Sequence, residues 1–131
     1  MITIKPAETN DLKSIHRLAY EIWPVAYREI LSTEQLEYML QSFYSISSLQ
    51  HQQDALKHQF LIVFENETPI GFASFSAHPD NTSIYHLNKI YVLPRQQGKN
   101  IGNQLLEHVI ISAKKKGAAS LQMNVNRNKK A

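Results

Sequence analysis

Apolar positions recur along the chain with two different periods, and the change of period divides it into regions. Ile2 and Ile4 alternate with Thr3 and Lys5, the pattern of a short strand. Leu12, Ile15, Ala19, Ile22 and Trp23 then return at helical spacing. Thr9 or Asn10 is placed to cap that helix, and Pro24 predicts a kink or an end near Trp23. A second helix is predicted from Ser32. Ser32 and Gln35 have the spacing of a capping box, in which each side chain satisfies the other residue's backbone N–H. Leu36, Met39, Leu40 and Phe43 form its apolar face, and a polar helical stretch follows from about Ser47 to His58.

The period then shortens. Phe60–Phe64 is a compact β-type run, Glu65–Pro69 reads as a turn, and Ile70–Ala77 is a second strand. His78–Thr82 is another turn, and Ser83–Leu93 is a long third strand, so the three read as an antiparallel meander. Ile101, Leu105, Val109 and Ala113 return every four residues in a helix from about Asn100 to Lys116, with Leu106 and Ile110 widening the stripe. Lysines fill its last turn, where they complement the helix dipole, and Gly117 stands at the C-terminal cap. Ser120–Asn126 alternates again as a strand, returning parallel to the third strand of the meander through the helical crossover. The predicted class is α/β in the α+β sense: a mixed, mostly antiparallel sheet flanked by helices, in the order β-α-α-β-β-β-α-β.

At 131 residues the chain suits one domain, 1–131. No apolar run approaches the roughly 20 residues that span a bilayer, and no charged segment followed by an apolar one opens the chain. Cytoplasmic location and no membrane partner are the expectation. Cysteine is absent, which excludes disulfides and thiolate metal sites, and His16, His51, His58, His78 and His108 show no metal-ligand spacing; no metal is expected. A net charge of +3 is too small to argue for nucleic acid and is compatible with an anionic small ligand. The runs Lys114–Lys116 and Arg127–Lys130 read as a solvated helix end and tail; an interaction module using them would bind polyanions with strong salt dependence.

One stretch carries chemistry. In IYVLPRQQGKNIGNQLL, from Ile90 to Leu106, a strand ends, Pro94 stops its ladder, and a polar turn feeds a helix at once. Gly98 lets backbone approach a ligand closely. The N–H groups of Gln97, Gly98, Lys99, Asn100, Ile101 and Gly102 lie at or near the helix start, where no intrahelical partner exists. With the helix dipole they form an anion seat, and Arg95 and Lys99 add positive charge. The turn predicts a phosphate or pyrophosphate site. It is not a P-loop, because Asn100 follows Gly98-Lys99 and no glycine lies at the required spacing before Gly98. It is not the dinucleotide fingerprint, which needs three spaced glycines after the first strand of the fold.

The stretch resembles the acyl-CoA motif of GNAT acetyltransferases, Q/R-x-x-G-x-G/A after a strand ending I-x-V-x-P. It is readable as Arg95-x-x-Gly98-x-Asn100 or as Gln97-x-x-Asn100-x-Gly102. Both frames depart at Asn100, and asparagine tolerates left-handed backbone better than most residues. The resemblance extends through the order of elements, and the segment around Trp23, Tyr27 and Leu31 is similar to the region bordering the family's acceptor pocket.

The resemblance implies an N-acetyltransferase. Acetyl-CoA would be co-substrate, and the acceptor a small-molecule or peptide amine attacking the thioester directly. The backbone of Ile90, Tyr91 and Val92 would pair with the pantetheine arm. The pyrophosphate would sit on the amides from Gln97 to Gly102 with Arg95 nearby, and Asn128, in an Asn-x-x-Ala pattern, would contact CoA. Some members place a glutamate where His86 stands, which makes His86 the candidate base; a histidine titrates in the range that task needs. His86 is expected on one strand face with Asn88 and Ile90, and Trp23, Tyr27, Tyr85 and Tyr91 are expected to be packing side chains. Against the family pattern the chain reads as C-terminally incomplete, lacking a further helix and two strands. An exposed fifth-strand edge would then allow a homodimer. The alternative function is a non-catalytic acyl-CoA-binding or regulatory domain.

Overall fold

The computed structural model describes residues 1–123. A five-stranded sheet runs in the order β1 (Ile2–Pro6), β2 (Gln59–Glu65), β3 (Thr68–His78), β4 (Asn81–Val92), β5 (Ser120–Met123). The first three pairings are antiparallel, and β4 pairs β5 in parallel from Ile84↔Ser120 to Leu87↔Met123. Three helices precede β2: α1 (Leu12–Tyr27), α2 (Thr33–Tyr44) and α3 (Ile46–Asp54). The parallel return to β5 uses α4 (Ile101–Lys115). The polar stretch after α2 is thus a helix in its own right. Ser45 separates the two: its backbone is extended, and its hydroxyl accepts from Ser48 N–H to start α3.

α1 buries Leu12, Ile15, Leu18, Ala19, Ile22 and Trp23. Its start differs from expectation. Glu8 and Asp11 form a capping box around a short 3-10 turn, so neither Thr9 nor Asn10 is the cap of α1. Nor does Pro24 end the helix, which continues to Tyr27. Pro24 removes one N–H bond, but rings on both sides hold the last turn: Trp23 packs against Tyr27, Tyr44 and Tyr91. The Ser32–Gln35 capping box forms as its spacing predicts, with both reciprocal bonds at 3.0 and 3.1 Å. α2 turns Leu36, Leu40 and Tyr44 inward, while Phe43 stays exposed.

Both predicted hairpin turns are tighter than expected. β2 and β3 extend to Glu65 and Thr68, leaving Asn66 and Glu67, and Asn66 takes a positive φ. α4 ends in the expected cap: Gly117 has φ +101, and the N–H groups of Gly117 and Ala118 return to Lys114 O and Ala113 O at 3.0 Å.

Side chains alternate across the sheet, so each face meets a different helix layer. Phe72, fully buried, packs against Tyr44 and Tyr91 on the α1–α3 face. Ile101, Leu105, Val109 and Ala113 of α4 are buried on the other. Gly71 stands opposite Val92, with no room for a side chain. A Cβ there would lie 2.7 Å from Tyr91 O and 3.0 Å from Val63 Cγ1.

β4 carries a bulge that matters for the site. Leu87 pairs with Phe75, but Lys89 pairs with Ser74, so Asn88 is the extra residue. Asn88 and Lys89 therefore share a face, and the alternation inverts beyond them. His86 and Asn88 lie on the α1–α3 face as expected; Ile90 does not. The bulge sends Ile90 and Val92 to the α4 face and brings Lys89 and Tyr91 to the side of His86.

Candidate active site

Beyond Val92 the chain makes a 3-10 turn, Pro94–Gln96, started by Pro94 in the first helical position. Gln97 is extended, Gly98 has φ +89, and Asn100 is left-handed at φ 64 before α4 begins. A side chain at Gly98 would be strained by the backbone alone. Asn100 adopts the conformation for which asparagine is suited. Its side chain does not cap the backbone of α4; instead Asn100 Oδ1 accepts from Asn103 Nδ2 at 2.7 Å. The first amides of α4 are thus left to face outward, and the ladder opens with Gln104 N–H to Asn100 O at 3.2 Å.

These pieces bound an open cleft of about 630 Å³ between the end of β4 and the start of α4. Of the residues picked out in the sequence, Ile90, Val92, Gln97, Gly98, Asn100, Ile101 and Gly102 line it. The amide of Gln97 is engaged within the turn, donating to Pro94 O at 3.2 Å. The side chains of Arg95 and Lys99 are exposed and outside the lining. Tyr91 points to the opposite face, and Asn128 lies outside the described residues.

Three lining residues escaped the sequence reading: Gln96, Asn103 and Leu106. Leu106 lies one helical turn after Gly102, so spacing alone could have placed it beside the cleft. Gln96 had no such signal, because its position depends on a carboxylate from β2: Gln96 Nε2 donates to Glu65 Oε1 at 2.9 Å.

On the edge of β4 away from β3, the pairing with β5 runs from Ile84 to Leu87, and the strand continues past it to Val92. That edge borders the cleft through Ile90 and Val92. The α1–α3 face is different in kind. Tyr27 and Tyr91 hydroxyls meet at 2.9 Å beneath Trp23. Burial, then the charges of neighbouring tyrosines, pushes Tyr91 upward, and burial does the same to Tyr44. Lys89 Nζ donates to Gln52 Oε1 at 2.8 Å and lies over the Tyr44 and Phe60 rings. Burial brings Lys89 down to about 8. His58 is lowered to about 4, by burial first and then by the Lys89 charge. His86 stacks on His78 with ring centroids 5.4 Å apart, and His78 Nδ1 accepts from Asp80 N–H at 3.0 Å. Among the described residues, no group of three or more His, Cys, Asp or Glu is arranged to hold a metal ion, and no helix is long and apolar enough to cross a membrane.

Known proteins resemble this chain in sequence and in fold. The chain is 28% identical over 130 residues to the spermidine N(1)-acetyltransferase of Thermoplasma acidophilum, covering 96% of this chain and 79% of that protein. It is 28% identical over 108 residues to the uncharacterized N-acetyltransferase YuaI of Bacillus subtilis, covering 81% of this chain and 61% of that one. The crystal structure of the PaiA N-acetyltransferase of T. acidophilum in complex with coenzyme A superposes with a TM-score of 0.86 at 28% identity, over 98% of this chain and 82% of that one. The family model of the GNAT acetyltransferases matches residues 12–131, and the chain belongs to that family.

Proposed function

We propose that this chain is an acyl-CoA-dependent N-acetyltransferase that moves the acetyl group of acetyl-CoA onto a primary amine by direct attack. The observation that carries the reading is the cleft at the end of β4, where the amides at the start of α4, which no side chain caps, adjoin the β4 residues Ile90 and Val92. The residues fit the group. The first turn of α4 and the Gly98 bend offer N–H donors and a helix dipole to a pyrophosphate. A Cβ added at Gly98 or Gly102 would meet nothing within 4 Å, so the backbone is open to close approach. The β4 edge from Ile90 to Val92 can pair with the amides of a pantetheine arm as an added strand would.

Acetyl-CoA supplies an acyl carbonyl activated by its thioester. The amine nitrogen bonds to that carbon, the carbon–sulfur bond breaks, and the sulfur leaves with its electron pair as thiolate. A β4 backbone N–H beside the bulge is suited to polarise the carbonyl. We assign His86 as the group that takes the ammonium proton, directly or through water. It lies on the α1–α3 face, across the sheet from the cleft, with its ring against His78. The acceptor class is a small aliphatic amine. The related T. acidophilum protein is a spermidine acetyltransferase, and the aromatic wall of Trp23, Tyr27 and Tyr91 suits an alkylammonium chain.

The test is calorimetric titration with acetyl-CoA of the wild type and of Gly102→Trp. Gly102 lies in the first turn of α4 and lines the cleft, so the indole fills the site without the backbone strain that a change at Gly98 would add. Affinity is expected to fall roughly 100-fold with stability retained, about 2.7 kcal/mol of binding. A folded wild type that does not bind acetyl-CoA would sink the proposal.

A further inference from the structure

We propose that Glu65, at the end of β2, is a positioning residue for the anion-holding loop, acting through the side-chain amide of Gln96. The inference rests on the reading of the cleft as the acyl-CoA site. It adds a residue far from the motif in sequence and in a different strand.

Gln96 is 5% exposed and lines the cleft, and its Nε2 reaches Glu65 Oε1 at 2.9 Å. A carboxylate only accepts hydrogen bonds, so the amide must present its NH₂ end to Glu65. The other end of the same amide, Oε1, is buried without a partner among the described residues. The side chain's orientation is therefore set from the Glu65 side alone. Buried polar atoms are nearly always paired; with Glu65 removed, Gln96 would have nothing to fix which end faces where.

The loop depends on such an anchor because little else holds it. From Gln97 to Asn100 the backbone passes through an extended residue and two positive-φ residues, Gly98 and Asn100. Its far end is fastened by the Asn100–Asn103 side-chain bond. Its near end is fastened by the 3-10 turn, where Gln96 N–H donates to Leu93 O at 2.9 Å, by the Gln96 side chain, and by a long bond of 3.5 Å from Gln97 Nε2 to Val92 O. Glu65 is itself rigid, since it pairs with Ile2 on one side and Thr68 on the other. The sheet's β1–β2–β3 end thus sets the location of amides that belong to the β4–α4 end. The geometry also handles charge. Glu65 is not part of the cleft lining, and the neutral amide of Gln96 stands between its carboxylate and a bound phosphate.

The experiment measures the affinities of inorganic pyrophosphate and CoA for wild type, Glu65→Ala, Glu65→Gln, Gln96→Ala and the double alanine variant. It adds melting temperatures, and KM and kcat with acetyl-CoA. Glu65→Ala is expected to weaken both ligands about tenfold, the effect of losing one charge-assisted hydrogen bond, and to raise KM with kcat held. Glu65→Gln keeps an acceptor oxygen and should stay within about threefold of wild type. The double variant should be no worse than either single alanine change, because both remove one shared contact. Wild-type affinity in Glu65→Ala, equal losses in Glu65→Ala and Glu65→Gln, or additive losses in the double variant would each overturn the proposal. Hydrogen exchange of the amides of Gly98–Gly102 separates it from the acetyltransferase reading. If wild type binds neither ligand, that reading falls. Unchanged exchange in Glu65→Ala then refutes the positioning role, and faster exchange confined to the loop upholds it.

Discussion

On one face of β4, Ile90 and Val92 look into a cleft bounded by backbone and uncharged side chains. On the other, His86, Lys89 and Tyr91 stand among histidines, tyrosines and a tryptophan. The two faces share one strand and differ in every chemical respect. On the proposed function the cleft would recognise by geometry, through helix-start amides and glycines that leave space open. The aromatic face is built from titratable and ring-bearing side chains whose properties depend on burial. A single extra residue, Asn88, assigns side chains to these faces. On the proposed function, pairing with a pantetheine arm and moving a proton call for different surroundings, and the bulge would let residues of one strand provide both.

The change expected to break the aromatic face most severely is Phe72→Ala. Phe72 is fully buried and joins Tyr44 to Tyr91. Unfolding in denaturant should show a loss of about 3–5 kcal/mol. The folded fraction should still bind acetyl-CoA, since no cleft residue is touched; loss of binding by folded protein would show that the faces are not separable. Next in size is His86→Gln, expected to lower kcat roughly 100-fold while leaving the CoA affinity alone. A kcat within a few-fold of wild type would move the proton-accepting role elsewhere.

The third expectation concerns pH. Lys89 keeps its proton only up to about pH 8 in the folded chain, against 10.5 for the free side chain. Between those values the unfolded chain carries the extra proton, so stability should rise with pH, and Lys89→Met should abolish the rise. His58, lowered from 6.5 to about 4, binds more protons unfolded over that interval. Stability should therefore fall as pH drops from 6.5 to 4, and His58→Leu should shrink that fall. Denaturation midpoints across the pH range decide both, and curves parallel to wild type would contradict the burial argument. The smallest effect sharpens the comparison as a control. Ser32→Ala removes one half of the capping box and should cost about 1 kcal/mol of stability. Acetyl-CoA titration of this variant should match wild type.

Much of the fold is legible in the sequence. The capping box at Ser32–Gln35 appears because both partners lie within one helical turn, and Gly117 ends α4 because only local backbone geometry is involved. The bend from Gln97 to Gly102 into α4 is legible for the same reason: its geometry is set by neighbouring residues, Gly98 and Asn100 among them. Of the two outcomes Pro24 predicts, the helix end does not occur: α1 continues to Tyr27, with rings from α2 and β4 packed on Trp23. The placement of Ile90 opposite His86 was misjudged because strict alternation assumes an unbroken strand register.

The sequence alone determined the succession of periods, the helix caps and the glycine-bearing turn, and through them the class of fold and the character of the ligand. Each of these depends on residues within a few positions of one another. Tertiary structure decided what joins distant segments: the bulge fixed by pairing with β3, the ring cluster that carries α1 past Pro24, the burial that shifts Lys89 and His58, and the reach of Glu65 to Gln96. Those depend on strand register and on distances between residues far apart in the chain, which no local pattern encodes.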